Sequence, residues 1–186
     1  MNTATAILRQ EHDAILRMLD VTDAIVQQLE RNQRVAPETL AGLLEFFRLF
    51  ADRCHHGKEE ELLFPLLERK GMTHEGGPIG VMLHEHEQGR SLVRQMGEAA
   101  DAFSNGMPGA GTRWADAARS YAALLRQHID KENNVLFMMA ENILSAAEQA
   151  ELAAAFEKVE EEKMGAGTHE RLHALMDKLC AQVLSA

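Results

Sequence analysis

The sequence predicts an all-α protein, an up-down-up-down four-helix bundle with two extra helices at its C-terminal end. Hydrophobic residues make up 46% of the 186 residues, but aromatic residues only 5%. Ala, Leu, Met and Glu, which lose little conformational entropy in a helix, are abundant. Clusters of glycine and proline divide the chain into stretches of roughly 20 to 35 residues, which is too long for strands.

These turn-forming clusters set the expected helix boundaries. We expect four main helices and two shorter ones, at 4–32, 37–70, 78–104, 112–143, 145–162 and 168–185. Ser145 and Glu148 form a predicted capping box at the start of the fifth helix, whereas Pro65 lies inside the second helix and should kink it. Short loops between long helices favour antiparallel neighbours. Residues 1–143 are therefore expected to form the bundle, and residues 144–186 an extension packed on the same domain.

The charge and cysteine content narrow the class of protein. The chain carries 29 acidic and 19 basic residues, for a formal net charge of -10, and shows no basic cluster that would bind nucleic acid. No stretch approaches the ~20 apolar residues of a membrane span, and the N-terminus has no basic leader. Cys54 and Cys180 lie far apart without a CxxC motif, which disfavours a secreted disulfide scaffold. We expect a cytoplasmic protein.

Each main helix directs one histidine toward the predicted core. Residues three, four and seven apart share a helix face, and on this spacing one histidine per helix lies among apolar residues: His12, His55, His86 and His128. His84 precedes His86 by two residues, about 200° around the axis, and should face solvent. Two helices add a glutamate one turn after the histidine, at Glu59 and Glu132.

The same α-helical register predicts the core neighbours of these residues. In the first helix, His12 lies in line with Leu8, Ile15, Leu16 and Leu19. In the second, the stripe of His55 contains Phe47, Ala51, Leu62 and Leu66. In the third, the stripe of His86 contains Ile79, Leu83, Val93, Met96, Ala100 and Phe103. In the fourth, the stripe of His128 contains Tyr121, Leu125, Val135 and Met139.

Histidines and glutamates that point into a bundle at this spacing are typical of di-iron and di-manganese sites. A single histidine on an apolar face is more often a hydrogen-bonded core residue, and a His–Glu pair one turn apart is often an ordinary helix contact. Four helices with the same feature favour a metal centre, in which Glu59 and Glu132 would bridge two ions and the four histidines would be terminal ligands. Structural zinc is disfavoured because it usually takes thiolate. Remaining coordination positions would accept water or a small ligand such as O2, NO or peroxide.

Three segments, in order, resemble the hemerythrin-like family with its HHE cation-binding domain: "CHHGKEEELLFPLLE", "GPIGVMLHEHEQGR" and "HIDKENNVLF". His12, in "EHDAIL", matches the first-helix histidine of that family, and the resemblance covers roughly residues 5–143. It implies a non-haem di-iron centre of two iron ions, oxo- or hydroxo-bridged. Arg90 stands where the oxygen carriers of the family have a second third-helix histidine, one turn after His86. This substitution predicts a smaller ligand set and argues against reversible oxygen storage.

Two features leave alternatives for the ligand set. His56 and Glu60 form a second His–Glu pair, offset by one residue and in line with Leu49, Leu63 and Leu67. The resemblance favours His55 and Glu59, with His56 as an extra ligand or an outer donor. Residues 169–173 read "HERLH", but a zinc protease is disfavoured because no histidine follows as a third ligand. Either this segment is a solvated face, or the last helix brings His169, Glu170 or His173 near the metals.

The resemblance implies a protein that binds or senses O2, NO, peroxide or iron in a stress response or in iron homeostasis. The alternative is a di-iron oxidoreductase, peroxidase-like or NO-handling, with turnover at the open coordination positions. A purely structural bundle would instead be purified without metal. A homodimer or a separate signalling partner is compatible with the sequence, since the chain shows no output domain.

Overall fold

The computed structural model describes residues 3–165 and 167–184, which are almost entirely helical and contain no strand. The helices are α1 (Ala4–Glu30), α2 (37–69), α3 (Pro78–Ser104), α4 (110–143), α5 (Ala146–Met164) and α6 (Thr168–Leu184). The prediction of an all-α bundle with two further helices is confirmed, and the ends lie within two residues of those expected. Residue 185, placed in the last helix from the sequence, is outside the described residues.

Local chemistry explains where several helices begin. The Thr3 hydroxyl caps α1 by accepting a hydrogen bond from the N–H of Ala6 at 3.2 Å. Pro37 and Pro78 occupy the first positions of α2 and α3, where a missing N–H costs nothing. The capping box at α5 is confirmed, since Glu148 N–H donates to Ser145 Oγ and the Glu148 carboxylate accepts from Ser145 N–H.

Two of the four bundle helices contain turns of π-helix. They lie at Phe47–His56 and Glu59–Leu63 in α2 and at Glu132–Leu136 in α4. A π-turn bonds each N–H to the carbonyl five residues back, so it takes up more residues than an α-turn and is frequent at functional sites. Side chains after such a turn therefore face a different direction from the one that a uniform α-helix predicts.

In the second half of α2 the most deeply buried positions are therefore shifted by one residue from those predicted. Leu62 and Leu66 are partly buried and pack against buried apolar residues, whereas Leu63 and Leu67 are fully buried. The helix continues past Pro65, which follows the π-turn by two residues. The kink expected at Pro65 stays a prediction.

The same offset occurs at the end of α4. Val135 and Met139, both predicted to be core residues, are 49% and 36% exposed, whereas Leu136 and Phe137 are buried. In α1 and α3, which have no π-turn, the predicted register is confirmed by buried residues along both helices: Leu8, Ile15, Leu19, Ile79, Val93, Met96 and Ala100. Leu16, Leu83 and Phe103 in the same stripes are partly buried.

Buried apolar residues form two clusters at opposite ends of the bundle. The larger one includes Phe46, Phe47 and Trp114, and the smaller one includes Phe64 and Phe137. The chain crosses from one cluster to the other along each of α1 to α4, in alternating direction, as an up-down-up-down bundle requires. The predicted histidines and glutamates lie between the two clusters along α1 to α4.

The two C-terminal helices cover the face formed by α1 and α2. Helix α5 adds Leu152 and Phe156 to the smaller cluster, and α6 adds Leu172, Met176 and Leu179 to the larger one. They therefore span both ends of the bundle and pass over its polar middle layer. Among the described helices, none is both long and apolar enough to cross a membrane.

Candidate metal centre

The structure brings the six predicted site residues into one buried layer: His12, His55, Glu59, His86, His128 and Glu132, each at most 1% exposed. His56 joins them at 4% exposure. His55 and His56 lie at the end of a π-helical turn of α2, which has more residues per turn than an α-helix and so separates consecutive side chains by a smaller angle. The described residues thus place seven donor side chains here, one more than expected from the sequence.

These donors form two groups, each with its ligand atoms within 4.8 Å of one another. One group consists of His56, Glu59, His86 and His128, and the other of His12, His55, Glu59 and Glu132. Glu59 belongs to both. The arrangement is that of two adjacent cation positions with a shared carboxylate.

Each carboxylate reaches histidines of both groups. In Glu59, Oε1 lies 3.6 Å from Nε2 of His55, and Oε2 lies 3.5 Å from Nε2 of His86. In Glu132, Oε2 lies 3.1 Å from Nε2 of His12 and 3.3 Å from Nε2 of His128. Both glutamates therefore lie where a carboxylate could contact two ions.

The outer nitrogen of each main-helix histidine is hydrogen-bonded to the neighbouring helix. Glu11 of α1 accepts from His55 Nδ1 at 2.8 Å, and Glu60 of α2 accepts from His86 Nδ1 at 2.7 Å. Glu85 of α3 accepts from His128 Nδ1 at 3.0 Å. Asn133 of α4 completes the ring by accepting from His12 Nδ1 at 2.9 Å.

None of these four acceptors was predicted in this role from the sequence, in which Glu60 was noted only as the partner of His56. Each acceptor is adjacent in sequence to a predicted donor but serves a histidine of the next helix: Glu11 beside His12, Glu60 beside Glu59, Glu85 beside His86 and Asn133 beside Glu132. That adjacency was the available signal. Assigning the acceptor to its histidine required the packing of neighbouring helices.

The inner atoms of the site lack partners. Assigned from these hydrogen bonds, the histidines carry their protons on Nδ1, which leaves the Nε2 lone pairs directed inward. Nε2 of His12, His55 and His56 and both carboxylate oxygens of Glu59 and Glu132 are buried without a hydrogen bond. Nε2 of His86 and Nε2 of His128 face each other at 3.1 Å. Lone pairs directed at lone pairs repel unless cations lie between them, and each buried unsatisfied group costs about 1–3 kcal/mol.

Electrostatics favours the ligand forms of the histidines, whereas Glu59 needs a cation to hold it as a carboxylate. Burial lowers the pKa of His86, His56 and His55, which keeps their imidazoles neutral. Burial also raises the pKa of Glu59, and the neighbouring carboxylate of Glu132 raises it further, so a cation that binds here would displace a proton from this carboxyl group. Neutral imidazole and carboxylate are the donors that iron and similar transition metals accept, so this donor set fits two such ions.

Arg90 supports the outer ring. Its guanidinium donates to Asp52 at 2.8 Å and to Glu60 at 2.6 Å, and Asp52 in turn lies 3.4 Å from Nδ1 of His56. The smaller ligand set expected from Arg90 stays a prediction. The ring of His56 stacks on that of His86, with 3.9 Å between centroids, and offers a further donor from α2. A cavity of about 170 Å³ reaches His56 from the surface beside Arg90.

The structure does not bring the histidines of α6 to this layer. His169, Glu170 and His173 belong to neither donor group of the described residues, and Glu170 is exposed. The extension contacts the layer through α5 instead. The buried ammonium of Lys58 lies between the carboxylates of Glu11 and Glu160, so a chain of polar contacts connects α5 with His55.

Comparisons with known proteins agree with this geometry. A sequence profile described as the hemerythrin HHE cation binding domain matches residues 3–140. The chain is 33% identical over 134 residues to the iron-sulfur cluster repair protein YtfE of Edwardsiella ictaluri, covering 70% of this chain and 60% of that protein. It is 30% identical over 140 residues to the iron-sulfur cluster repair protein DnrN of Neisseria gonorrhoeae. This match covers 73% of the present chain and 87% of DnrN.

The match to the uncharacterized protein Rv1995 of Mycobacterium tuberculosis, at 26% identity, extends over 88% of this chain but only 63% of that protein. The chain therefore spans less than two thirds of the length of several relatives. No solved structure matches it. With three quarters of its residues in the matched profile and a helical bundle around buried histidines and glutamates, the chain belongs to the hemerythrin HHE cation-binding domain family.

Proposed function

We propose that this protein holds two iron ions between α1, α2, α3 and α4 and uses them to bind a small ligand such as O2, NO or peroxide in a stress response. The ligands proposed are the six residues expected from the sequence together with His56. The observation that carries the proposal is the set of buried, unpartnered Nε2 and carboxylate oxygen atoms that converge from four helices. Iron would supply redox chemistry and Lewis acidity at that point.

The uneven division of histidines between the two groups of four donors supports binding of an external ligand. One cation position has three histidines, His56, His86 and His128, whereas the other has only His12 and His55. If both carboxylates are shared, the second position has one protein donor fewer. An ion that prefers six ligands would keep more room there for a small molecule.

The relatives support a role in stress. YtfE and DnrN are named as iron-sulfur cluster repair proteins, and repair implies prior chemical damage to a cluster. We therefore infer that the chain acts in the response to oxidative or nitrosative stress, with iron homeostasis as the related role. A cytoplasmic location, expected from the cysteine pattern, is part of this proposal.

Metal analysis with an optical spectrum of protein purified in air tests the proposal. We expect close to two irons per chain and the near-ultraviolet charge-transfer bands of a non-haem di-iron centre. His128→Ala and Glu132→Ala should each lower the iron content and change the spectrum, since each removes a donor from the buried layer. His84→Ala, on the exposed face of α3, is the matched control. Unchanged iron and spectrum in both site variants would contradict the proposal.

The uneven donor numbers are also compatible with an enzyme, because an exchangeable position permits turnover. Stopped-flow measurements with peroxide or NO distinguish the two functions. One equivalent consumed per iron centre indicates a binding or sensing protein, whereas repeated consumption with a supplied reductant indicates an oxidoreductase.

A further inference from the structure

Two histidines of α6 converge outside the interior layer. Nε2 of His169 and Nε2 of His173, one helical turn apart, lie 2.9 Å from each other, with 4.6 Å between ring centroids. Both rings rest on the buried ring of Phe50, at centroid distances of 5.8 and 5.7 Å. Packing on α2 thus restricts both imidazoles and directs their nitrogens to one point.

We propose that His169 and His173 form a second, peripheral site for one divalent transition-metal ion of the Ni²⁺, Cu²⁺ or Zn²⁺ type. Metal–imidazole bonds of about 2.0–2.1 Å place two nitrogens roughly 2.8–3.4 Å apart for angles between a right angle and the tetrahedral value. The observed separation of 2.9 Å lies within this range. The side chain of His169 is 34% exposed, so water can complete the coordination shell.

Glu160 of α5 supplies the outer partner that such a site requires. Its Oε2 lies 3.6 Å from Nδ1 of His169, and that nitrogen is buried without a hydrogen bond. Without metal, one Nε2 donates a proton to the other. When an ion takes both lone pairs, a proton held by His169 moves from Nε2 to Nδ1, where the Glu160 carboxylate can accept it. A carboxylate on the outer nitrogen orients a metal-bound histidine and makes it more basic.

The surroundings of the pair carry negative charge. A groove between α5 and α6 is lined by His169 and by four carboxylates, those of Glu157, Glu160, Glu161 and Glu170. A groove lined by one sign of charge concentrates counter-ions. The peripheral site therefore favours a cation, and its imidazoles select a transition metal over Ca²⁺ or Mg²⁺.

Calorimetric titration of the iron-loaded full chain with Ni²⁺ tests this site. We expect one equivalent of Ni²⁺ to bind in a histidine-dependent manner, with affinity reduced about tenfold or more in His169→Ala and in His173→Ala. Glu160→Gln should weaken Ni²⁺ binding by about tenfold. This is the low end of the loss caused by removing the hydrogen-bond acceptor of a metal-bound histidine. His84→Ala and Glu157→Gln are matched controls, and both should bind as the wild type does.

The ligands can be identified with Cu²⁺ by electron paramagnetic resonance. We expect nitrogen hyperfine structure from two imidazoles in the wild type and its reduction to one in His173→Ala. Because the alanine variants remove packing on Phe50, His173→Gln provides a second variant, and circular dichroism of the metal-free proteins checks the fold. Equal Ni²⁺ affinity in the wild type and in a folded His169 or His173 variant overturns the assignment, as does absence of binding to the wild type. Both readouts are independent of the contents of the interior layer.

Discussion

The carboxylate of Glu60, on the second helix, accepts a hydrogen bond from Nδ1 of His86, on the third, at 2.7 Å. It also accepts from Arg90 at 2.6 Å. The contact fixes the His86 ring with its inner nitrogen toward the buried layer. Three other acceptors repeat this relationship around the bundle, so each helix orients the histidine of a neighbour. Orientation of the proposed ligands thus depends on the assembled bundle.

Glu60→Ala should weaken iron binding by roughly 10- to 100-fold. The Glu60 carboxylate orients the His86 ring and makes its inner nitrogen more basic, and the substitution removes both effects. Iron retained in competition with a chelator measures the change. Glu87→Ala is the control, because this carboxylate is 63% exposed and pairs with Arg94, and it should retain iron like the wild type. Equal retention in Glu60→Ala and the control would show that the outer ring does not influence the centre.

His56→Ala should lower the iron content, mainly at the position that also includes His86 and His128. This measurement shows whether His56 is a metal ligand or only a neighbour of the site, a question that the sequence alone left open. Mössbauer spectra of enriched protein report the two iron environments separately. A wild-type spectrum in His56→Ala would restrict the proposed ligand set to the six residues expected from the sequence.

Leu136→Ala and Val135→Ala should differ strongly in stability. The π-turn in α4 buries Leu136 completely and leaves Val135 49% exposed. Loss of the Leu136 side chain should therefore cost about 2–5 kcal/mol, against about 0.5 kcal/mol or less for the exposed valine. Urea unfolding of metal-free variants measures both. The reverse order would mean that α4 keeps α-helical register through Glu132.

Lys58→Met should destabilise the protein by roughly 3 kcal/mol, because it leaves the carboxylates of Glu11 and Glu160 close together without their shared cation. Burial lowers the pKa of Lys58, but Glu11, Cys54 and Glu160 together outweigh this effect, and the net pKa is raised above 10.5. A raised lysine pKa stabilises the fold at pH values below 10.5, and this contribution is lost at more alkaline pH. Lys158→Met, 73% exposed, is the control in urea unfolding at pH 7, where no comparable loss is expected.

Cys54 should be unreactive toward thiol reagents in the native protein. Burial raises its pKa to about 12, so at pH 8 only about 10⁻⁴ of the side chain is thiolate, the reactive form. Cys180 is partly exposed. A chromogenic disulfide at pH 8 should label one thiol per chain quickly and the second after unfolding, with the fast phase absent in Cys180→Ser. Two fast equivalents in the native wild type would contradict this burial.

Helix positions and most donors were predictable from local patterns. Proline and glycine clusters mark turns because of their restricted or permissive backbone, so helix ends were expected within two residues. In α1 and α3 a uniform helical period also predicted the buried residues, including His12 and His86. These features depend on one helix at a time.

The sequence by itself determined the class of fold, the family and six of the seven buried donors, because helical spacing alone shows which side chains share a face. Only the tertiary structure determined which side chains near the π-turns point into the bundle. Leu136 is buried there, and His56 becomes the seventh donor. A π-turn is stable only where packing or a site compensates its poorer geometry, so its position is set by neighbouring helices. The outer ring of Glu11, Glu60, Glu85 and Asn133 also depends on tertiary packing, because each acceptor binds a histidine of another helix. The same is true of Glu160, which lies near His169 only because α5 packs beside α6.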